Sequence, residues 1–332
     1  MDRNDSIMLY INSLRIGYGS SLLPSPLTAS ARRGELVAVI GRNGIGKSTL
    51  LRTIVGLQLS LGGSIRADGK DISDYSQVEL AKKIGYISTE RVNVSNMRVC
   101  DLVALGRYPY TNWIGRIDEN EINEINRSIE KTGLKGFEER YISELSDGER
   151  QRAMIARVVA QDTDILIMDE PTAFLDVISK YEAVNLLRDL ASDGKTVIFS
   201  THDFNIALSH ADRIWLMLDD ILVEGAPEDL VLKGLFEKLF KSEIVEFNRA
   251  DASFFVPDRS GDSFYIEGEG LSYFWTKKAL HRIGCSVTDK KILPLIKTPD
   301  SLDGKWELVT PESTFSCSSL FDLLRMIRKN RE

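Results

Sequence analysis

Segments that are apolar at almost every position recur along the first two thirds of the chain. Residues 36–40, 165–168 and 196–200 have this pattern, which is typical of strands buried on both faces of a sheet. Residues 7–11 are a further strand candidate, and a pair of strands is expected around residues 213–223. Segments with helical character separate these strands, so the pattern predicts a mostly parallel α/β core.

Three segments between the strands carry helical signals. Residues 117–132 place isoleucines among Glu, Asn and Arg at helical spacing, which predicts a solvated amphipathic helix. A second helix is predicted from Ser48, directly after a glycine-rich loop, and a third over residues 150–160.

The character of the sequence changes around residues 240–250. Beyond this point, residues 253–256, 263–266 and 273–275 are short aromatic-rich strand candidates, and residues 320–328 are a helix candidate. We therefore expect two domains, with residues 1–245 forming the first and residues 246–332 forming an accessory α+β domain of unknown role. A small core is the favoured interpretation of the aromatic residues, and a binding face is the alternative.

Composition narrows the functional classes. The 332 residues carry a net charge of −7, and residues 246–332 contain 13 acidic and 13 basic side chains, so the first domain carries the whole net charge. An acidic chain is a poor match for a nucleic-acid partner. The three cysteines, Cys100, Cys285 and Cys317, lack C-x-x-C spacing, which favours reduced thiols in the cytosol. We find neither a signal peptide nor an apolar run long enough to cross a bilayer.

A phosphate-binding pattern follows the strand at residues 36–40. It matches G-x-x-x-x-G-K-[ST] and consists of Gly41, Arg42, Asn43, Gly44, Ile45, Gly46, Lys47 and Ser48. Such a loop directs backbone N–H groups and a helix N-terminus at anionic oxygens. We expect Lys47 to reach the β- and γ-phosphates, Ser48 to ligate Mg²⁺ and Thr49 to contact the α-phosphate.

Two acids, Asp169 and Glu170, end the strand at residues 165–168. A carboxylate at the end of a strand beside a phosphate loop is suited to hold Mg²⁺, and we assign this role to Asp169. Glu170 is then placed to orient or deprotonate an attacking water. The sequence therefore predicts a hydrolase of a nucleoside triphosphate with Mg²⁺ as cofactor.

Further motifs resemble those of the ATP-binding subunits of ABC transporters. Residues 145–152 (LSDGERQR) resemble the LSGGQ signature, residues 173–176 (AFLD) the D-loop, and residues 200–203 (STHD) the segment with the switch histidine. Tyr18 stands 23 residues before Gly41, where this family places an aromatic that stacks on adenine. Ordinary strand packing is the alternative for Tyr18. The resemblance covers about residues 7–245.

The resemblance implies a P-loop cassette with a mostly parallel core sheet, an antiparallel β part and a helical signature subdomain. It implies two ATP molecules sandwiched in a head-to-tail homodimer, each bound by the glycine-rich loop of one subunit and by Ser146 and Gly148 of the other. His202 would contact the γ-phosphate, and Asp176 would communicate across the interface. Two permease subunits, and indirectly a solute-binding protein, are the other implied partners, at the cytoplasmic face of the inner membrane.

Three positions depart from the family pattern. The glutamine expected after residues 85–87 is missing, because Ser88-Thr89-Glu90 stands there. In the signature, Asp147 replaces a glycine and Glu149 replaces a glutamine. A carboxylate placed 4 Å from a phosphate would be repelled by about 4 kcal/mol for each unit of phosphate charge, at an effective dielectric constant of 20. We therefore expect Asp147 to point away from the phosphates or to pair with Arg150 or Arg152.

Residues 103–110 (VALGRYPY) resemble a stretch of the importers of iron–siderophore complexes, haem and vitamin B12, at the place where the cassette docks on the permease. Residues 161–163 also resemble that group, while a generic loop that ends a helix is the alternative for 103–110. Iron chelates are the leading cargo, followed by haem and cobalamin. Two other functions stay open, namely an ABC ATPase that does mechanical work outside transport and an ATP-sensing module with little turnover.

Overall fold

The chain divides into two compact units, Met1–Phe240 and Lys241–Glu332, referred to below as the first unit and the second unit. The computed structural model describes residues 6–18, 21–22, 26–89, 96–111, 118–219, 221–239, 246–249, 252–255, 262–301 and 304–329. The predicted boundary at residue 245 falls in a segment outside the described residues.

The strands of the first unit form two main sheets and a small hairpin. In chain order they are β1 (Ile7–Arg15), β2 (Gly17–Tyr18), β3 (Ser21–Leu22), β4 (Leu27–Arg32), β5 (Leu36–Gly41), β6 (Gly62–Ala67), β7 (Lys70–Asp71), β8 (Ile84–Ile87), β9 (Ile165–Met168), β10 (Thr196–Ser200), β11 (Arg213–Met217) and β12 (Leu222–Gly225). One sheet has the order β12-β11-β5-β10-β9-β8, with β12 alone antiparallel to its neighbour. The second, antiparallel sheet has the order β4-β1-β6-β7, and β2 pairs with β3.

The helices of the first unit lie between these strands in the sequence. They are α1 (Lys47–Ile54), α2 (Gln77–Ala81), α3 (Val99–Ala104), α4 (Glu119–Lys131), α5 (Asp147–Ala160), α6 (Val177–Ser192), α7 (Phe204–His210) and α8 (Pro227–Leu232). Helices α3 and α4 pack against α5 and form the helical part of the unit. The strands β5, β9 and β10 are buried at every position, as their uninterrupted apolar sequence predicts.

The second unit builds its own core. Its strands are β13 (Glu246–Asn248), β14 (Ser253–Phe255), β15 (Ser263–Glu267), β16 (Ser286–Val287), β17 (Leu295–Lys297), β18 (Trp306–Val309) and β19 (Thr314–Cys317), and its helices are α9 (Gly270–Arg282) and α10 (Leu320–Lys329). The sheet order is β16-β15-β17-β18-β19, while β13 and β14 form a separate hairpin. Phe264, Leu280 and Leu323 are central to the apolar cluster between helices and sheet.

One strand prediction in the second unit is wrong. Residues 273–275 lie inside α9 rather than in a strand. The buried residues of this helix, Thr276, Ala279 and Leu280, follow the three- and four-residue spacing of a helix, and this longer period outweighs the strand preference of the aromatic residues. Phe274 and Trp275 are exposed, so the small-core interpretation does not extend to these two aromatic side chains.

No helix in the described part of the chain combines the length and the apolar character that a bilayer crossing requires. Cys100, Cys285 and Cys317 are all free thiols.

Candidate active site

The order of the parallel strands brings the predicted catalytic segments to one edge of the sheet. Strand β10 lies between β5 and β9. The glycine-rich loop follows β5, Asp169 and Glu170 follow β9, and His202 follows β10. Because the three strands run parallel, the segments after their carboxyl ends meet at the same edge, where ligands bind in open α/β sheets.

The glycine-rich loop has the conformation of an anion cradle. Gly44 and Gly46 have φ of 77° and 105°, in a region that side-chain-bearing residues rarely adopt. Gly46 is also the N-cap of α1 and has no side chain, so no N-cap side chain competes with an anion for the first N–H groups of the helix. Asn43 is exposed, and Arg42 lies 3.8 Å from Asp219 in an exposed ion pair.

Lys47 is buried, with 5% of its surface exposed. Its Nζ donates hydrogen bonds to the carbonyl oxygens of Gly41 at 2.9 Å and Arg42 at 3.2 Å, and it lies 3.4 Å from His202 Nδ1. Burial lowers the pKa of Lys47, while the Glu170 and Asp169 carboxylates act in the opposite direction. The ammonium is therefore close enough to both acids for their charges to stabilise it.

The two acids differ in burial and in partners. Asp169 is 1% exposed and accepts a hydrogen bond from Ser200 Oγ at 2.7 Å through Oδ1. Glu170 has a φ of 52°, its N–H donates to Ser200 Oγ at 2.9 Å, and its carboxylate contacts His202 Nε2 directly. The structure thus brings together Lys47, Asp169, Glu170 and His202, which the sequence analysis selected from three separate segments.

The donor set around Asp169 fits a hard divalent cation. Its Oδ2 is a buried oxygen without a hydrogen-bond partner among the described residues. An orphaned carboxylate oxygen in this environment is unfavourable unless a cation or its hydration water is present. Ser48 and Thr49, the other predicted ligand and its neighbour, are half-buried in the first turn of α1.

The signature segment has an internal cap that the sequence analysis missed. Ser146 is the N-cap of α5, and its Oγ accepts a hydrogen bond from Glu149 N–H at 3.2 Å. The Glu149 carboxylate in turn accepts from Ser146 N–H at 2.8 Å, and this bond lowers the pKa of Glu149. The S-x-x-E pattern of a capping box is the sequence signal that predicts this contact. Glutamate at the family's glutamine position therefore keeps a structural role.

Asp147 pairs with a cation, as predicted. Arg150 Nη1 donates to Asp147 Oδ1 at 2.9 Å, one helical turn along α5. Gly148 approaches α6 so closely that a Cβ there would lie 2.7 Å from Ser179 Oγ. Asp176 caps α6 by accepting from Ser179 N–H, and this backbone hydrogen bond lowers the pKa of Asp176.

A cavity of about 60 Å³ lies where the family's missing glutamine would stand. Thr89, Glu170 and Gln151 line it. The side-chain nitrogen of Gln151 is buried and has no hydrogen-bond partner in the described part of the chain. Glu90 lies outside the described residues, and so does the side chain of Tyr18, whose backbone forms part of β2.

The segment predicted to dock on a permease is anchored by a buried arginine. Arg107 is 6% exposed, donates to the carbonyl of Ala160 at the end of α5 at 2.6 Å, and contacts the Glu121 carboxylate of α4. Its guanidinium also stacks on Tyr110 at 4.0 Å. Tyr108, in contrast, is 78% exposed. The arrangement fixes the loop while it presents Tyr108 outward.

Comparison with known proteins agrees with this geometry. Residues 25–173 match the family model described as ABC transporter, and residues 261–328 match that described as iron ABC transporter C-terminal domain. An uncharacterised ABC transporter ATP-binding protein of Methanocaldococcus jannaschii is 37% identical over 79% of this chain and 92% of its own length. The chain belongs to the family of ABC transporter ATP-binding proteins, which bind and hydrolyse ATP.

Two relatives have names that refer to iron carriers. The petrobactin import ATP-binding protein FpuC of Bacillus anthracis is 33% identical over 76% of this chain and 93% of its own length. The ferric enterobactin transport ATP-binding protein FepC of Escherichia coli is 34% identical over 68% of this chain and 84% of its own length.

Solved structures confirm the predicted cassette fold. An inward-facing ABC transporter assigned to the metal-chelate type superposes with a TM-score of 0.63 at 26% identity, over 75% of this chain and 96% of its own. A dimeric bacterial ABC transporter cassette superposes with a TM-score of 0.57 at 26% identity, over 66% of this chain and 99% of its own. Cassettes of this family dimerise and work with membrane permease subunits.

Proposed function

We propose that the chain is the ATP-hydrolysing subunit of an importer for iron chelates of the siderophore class. The main support is that relatives at 33–34% identity are named for petrobactin and ferric enterobactin transport and align over more than two thirds of this chain. The iron-transporter model matched by residues 261–328 is a second, separate support. Haem and cobalamin are the cargoes against which the proposal is tested.

In the proposed reaction, the glycine-rich loop and Lys47 bind the phosphates of ATP. Glu170 accepts a proton from the attacking water, and His202, which contacts Glu170, orients that carboxylate and reaches the γ-phosphate. Asp169 and Ser48 would hold Mg²⁺, which when bound neutralises charge on the phosphate oxygens. The charge of Lys47 beside Asp169 and Glu170 supports this assignment.

The catalytic unit in this proposal is a homodimer that closes on two ATP molecules. Ser146 and Gly148 of one subunit would complete the nucleotide site of the other, and Asp176 would lie at the interface between them. Within one subunit the Ser146 hydroxyl takes part in the capping box, where its oxygen accepts from Glu149 N–H and its proton is donated to the Glu149 carboxylate. Two permease subunits, which receive their cargo from a solute-binding protein, would contact the segment anchored by Arg107. Closure of the dimer would be transmitted to them there.

We further propose that the first unit contains the whole ATP chemistry and that the second unit acts in regulation or assembly. In support, each catalytic segment ends before Phe240, and the second unit has a separate apolar cluster. The predicted division at residues 245 and 246 is kept in this proposal.

Uptake in cells tests the function. In a strain that lacks this chain, the wild-type protein is expected to restore uptake of ⁵⁵Fe supplied as a siderophore complex, whereas Lys47→Ala is expected to abolish uptake because phosphate binding is lost. Lys135→Ala is the matched control, since Lys135 forms an exposed ion pair with Glu130 of α4 and belongs to none of the catalytic segments.

The outcome separates the alternatives. Restored uptake of haem or cobalamin, with no change in iron-chelate uptake, would contradict the proposed cargo. Full iron uptake by Lys47→Ala would contradict the ATP-driven function. The purified protein could instead hydrolyse ATP while its absence from the strain changes none of the three uptakes. That result would favour an ABC ATPase that does mechanical work outside transport.

A further inference from the structure

Ser200 links the two acids of the site, and it begins the STHD segment, in which the sequence analysis gives a role to His202 alone. It is the last residue of β10 and is fully buried. Its hydroxyl donates to Asp169 Oδ1 at 2.7 Å and accepts from the backbone N–H of Glu170 at 2.9 Å. The one hydroxyl therefore acts as a donor to Asp169 and as an acceptor from Glu170, two consecutive residues of the segment after β9.

We propose that Ser200 is a positioning residue that sets the metal-binding carboxylate and the backbone of the catalytic glutamate. The bond to Oδ1 fixes the rotation of the Asp169 carboxylate, so Oδ2 is the oxygen without a hydrogen-bond partner among the described residues. The bond to Glu170 N–H holds that peptide where its φ is 52°. The inference rests on the roles given above to Asp169 and Glu170.

The backbone of Glu170 needs such support. A residue with a Cβ adopts a left-handed conformation at an energetic cost and keeps it only where its surroundings fix it. The cost is tolerated where a displaced backbone would misplace a side chain that must meet water and phosphate. Ser200 Oγ supplies the fixed point from a buried strand, which moves less than a loop does.

The same strand offers a matched comparison. Thr196, at the other end of β10, is also fully buried, and its hydroxyl donates to the carbonyl of Arg32 at 3.0 Å. Its partner belongs to β4, away from the catalytic segments. Thr196→Val thus removes a buried hydroxyl from β10 without touching Asp169 or Glu170, and Ser200→Ala removes the one that contacts both.

The test measures metal binding separately from turnover. Mn²⁺ binding to the full-length protein loaded with ADP is followed by electron paramagnetic resonance, and ADP affinity is measured with EDTA present. We expect Ser200→Ala to weaken Mn²⁺ binding by about 10-fold or more, the effect of losing a group that orients a metal ligand. ADP affinity without metal is expected to stay within about 2-fold, because the phosphate loop is intact.

Steady-state kinetics provide the second readout. We expect Ser200→Ala to lower kcat by a factor similar to the loss of Mn²⁺ affinity, with a smaller change in KM for ATP. Ser200→Thr retains the hydroxyl and is expected to restore both quantities relative to alanine. If the added methyl group unfolds the threonine variant, the alanine variant and Thr196→Val still decide the question.

Two results would overturn the inference. One is Mn²⁺ affinity and kcat in Ser200→Ala equal to those of the wild type, and the other is an equal loss in Thr196→Val. Failure of the proposed roles is distinguishable, because full turnover in Glu170→Gln would remove the catalytic role of Glu170, while a Mn²⁺ defect in Ser200→Ala would still connect Ser200 to Asp169.

Discussion

The two units differ in where they bury charge. The first unit buries Lys47, Arg107 and Asp169, whereas the buried polar side chains described in the second unit are the uncharged Thr276 and Thr298. Buried charge is tolerated only with compensating partners. The first unit supplies those partners to Lys47 and Asp169 at one edge of its sheet and to Arg107 in its helical part. The second unit has no such buried charge among its described residues. Chemistry is therefore expected where the burial of charge is concentrated.

Backbone strain follows the same division. Five non-glycine residues in the described part of the first unit have positive φ values. Glu170 and Phe174 lie in the segment after β9, and the other three lie outside the catalytic segments, namely Ser13, Asp68 and Asp162. The described residues of the second unit contain one such position, Ala252, in the turn of a hairpin. Strain of this kind clusters at functional sites. The two strained positions after β9 support the assignment of catalysis to that segment of the first unit.

The largest effect is expected at Glu170. Glu170→Gln should lower ATPase turnover by about 100-fold or more, because an amide does not accept the proton of the attacking water. ATP binding should persist, so gel filtration with ATP and Mg²⁺ is expected to show a trapped dimer. Glu267→Gln, at an exposed ion pair of the second unit, is the control and should leave turnover unchanged. Unchanged turnover in Glu170→Gln would remove this glutamate from the mechanism.

A core substitution in the second unit should separate stability from nucleotide binding. Phe264 is 3% exposed in the apolar cluster, and Phe264→Ala should destabilise the second unit by about 3–5 kcal/mol. ATP affinity should remain that of the wild type. Calorimetry and nucleotide titration on the same sample measure the two quantities. A parallel loss of ATP affinity would show that the units depend on each other.

Removal of the second unit tests whether the first unit folds and binds ATP without it. A chain that ends after residue 245 should fold and bind ATP, since the first unit holds the glycine-rich loop and its own apolar core. Dimerisation or control of transport is the property expected to change. Loss of ATP binding, with a circular dichroism spectrum typical of the native fold, would contradict the proposed division, and aggregation would show that the second unit covers apolar surface of the first.

A smaller effect is expected at the capping box of α5. Glu149→Ala should destabilise the first unit by about 1 kcal/mol, whereas Glu149→Gln should retain both hydrogen bonds. Because the pKa of Glu149 is lowered in the folded state, its stabilisation is present above the unfolded pKa and is lost as the pH falls through the folded pKa. Glutamine should remove this pH dependence, which urea unfolding at acidic and neutral pH measures.

The smallest effect is expected at Asp147. Its ion pair with Arg150 is partly exposed, so Asp147→Gly should change stability by less than about 1 kcal/mol. ATP-driven dimerisation should be maintained or increased, because a carboxylate is removed beside the signature. A large loss of ATPase activity would instead show that Asp147 makes a contact required in the dimer.

The fold and the nucleotide site were predictable to different degrees. The buried strands and the glycine-rich loop have strong local signals, because uninterrupted apolar runs and glycine spacing are properties of single segments. The role of Ser200 was not predictable, because it depends on β9 and β10 lying side by side in the sheet. These strands are distant in sequence, since β9 ends at Met168 and β10 begins at Thr196. Residues 273–275 were assigned to a strand because local aromatic preference does not reveal which face a helix buries.

The capping box also affects the entropy of assembly. Ser146 and Glu149 already hold the start of α5 in one conformation within a single subunit, and Asp147 is tied to Arg150 in the next turn. A loop that must first be ordered reduces the free energy available for association. Here that loss of conformational freedom occurs during folding, so in the proposed ATP-bound homodimer a greater share of the free energy of ATP binding would remain available for the association of the two subunits.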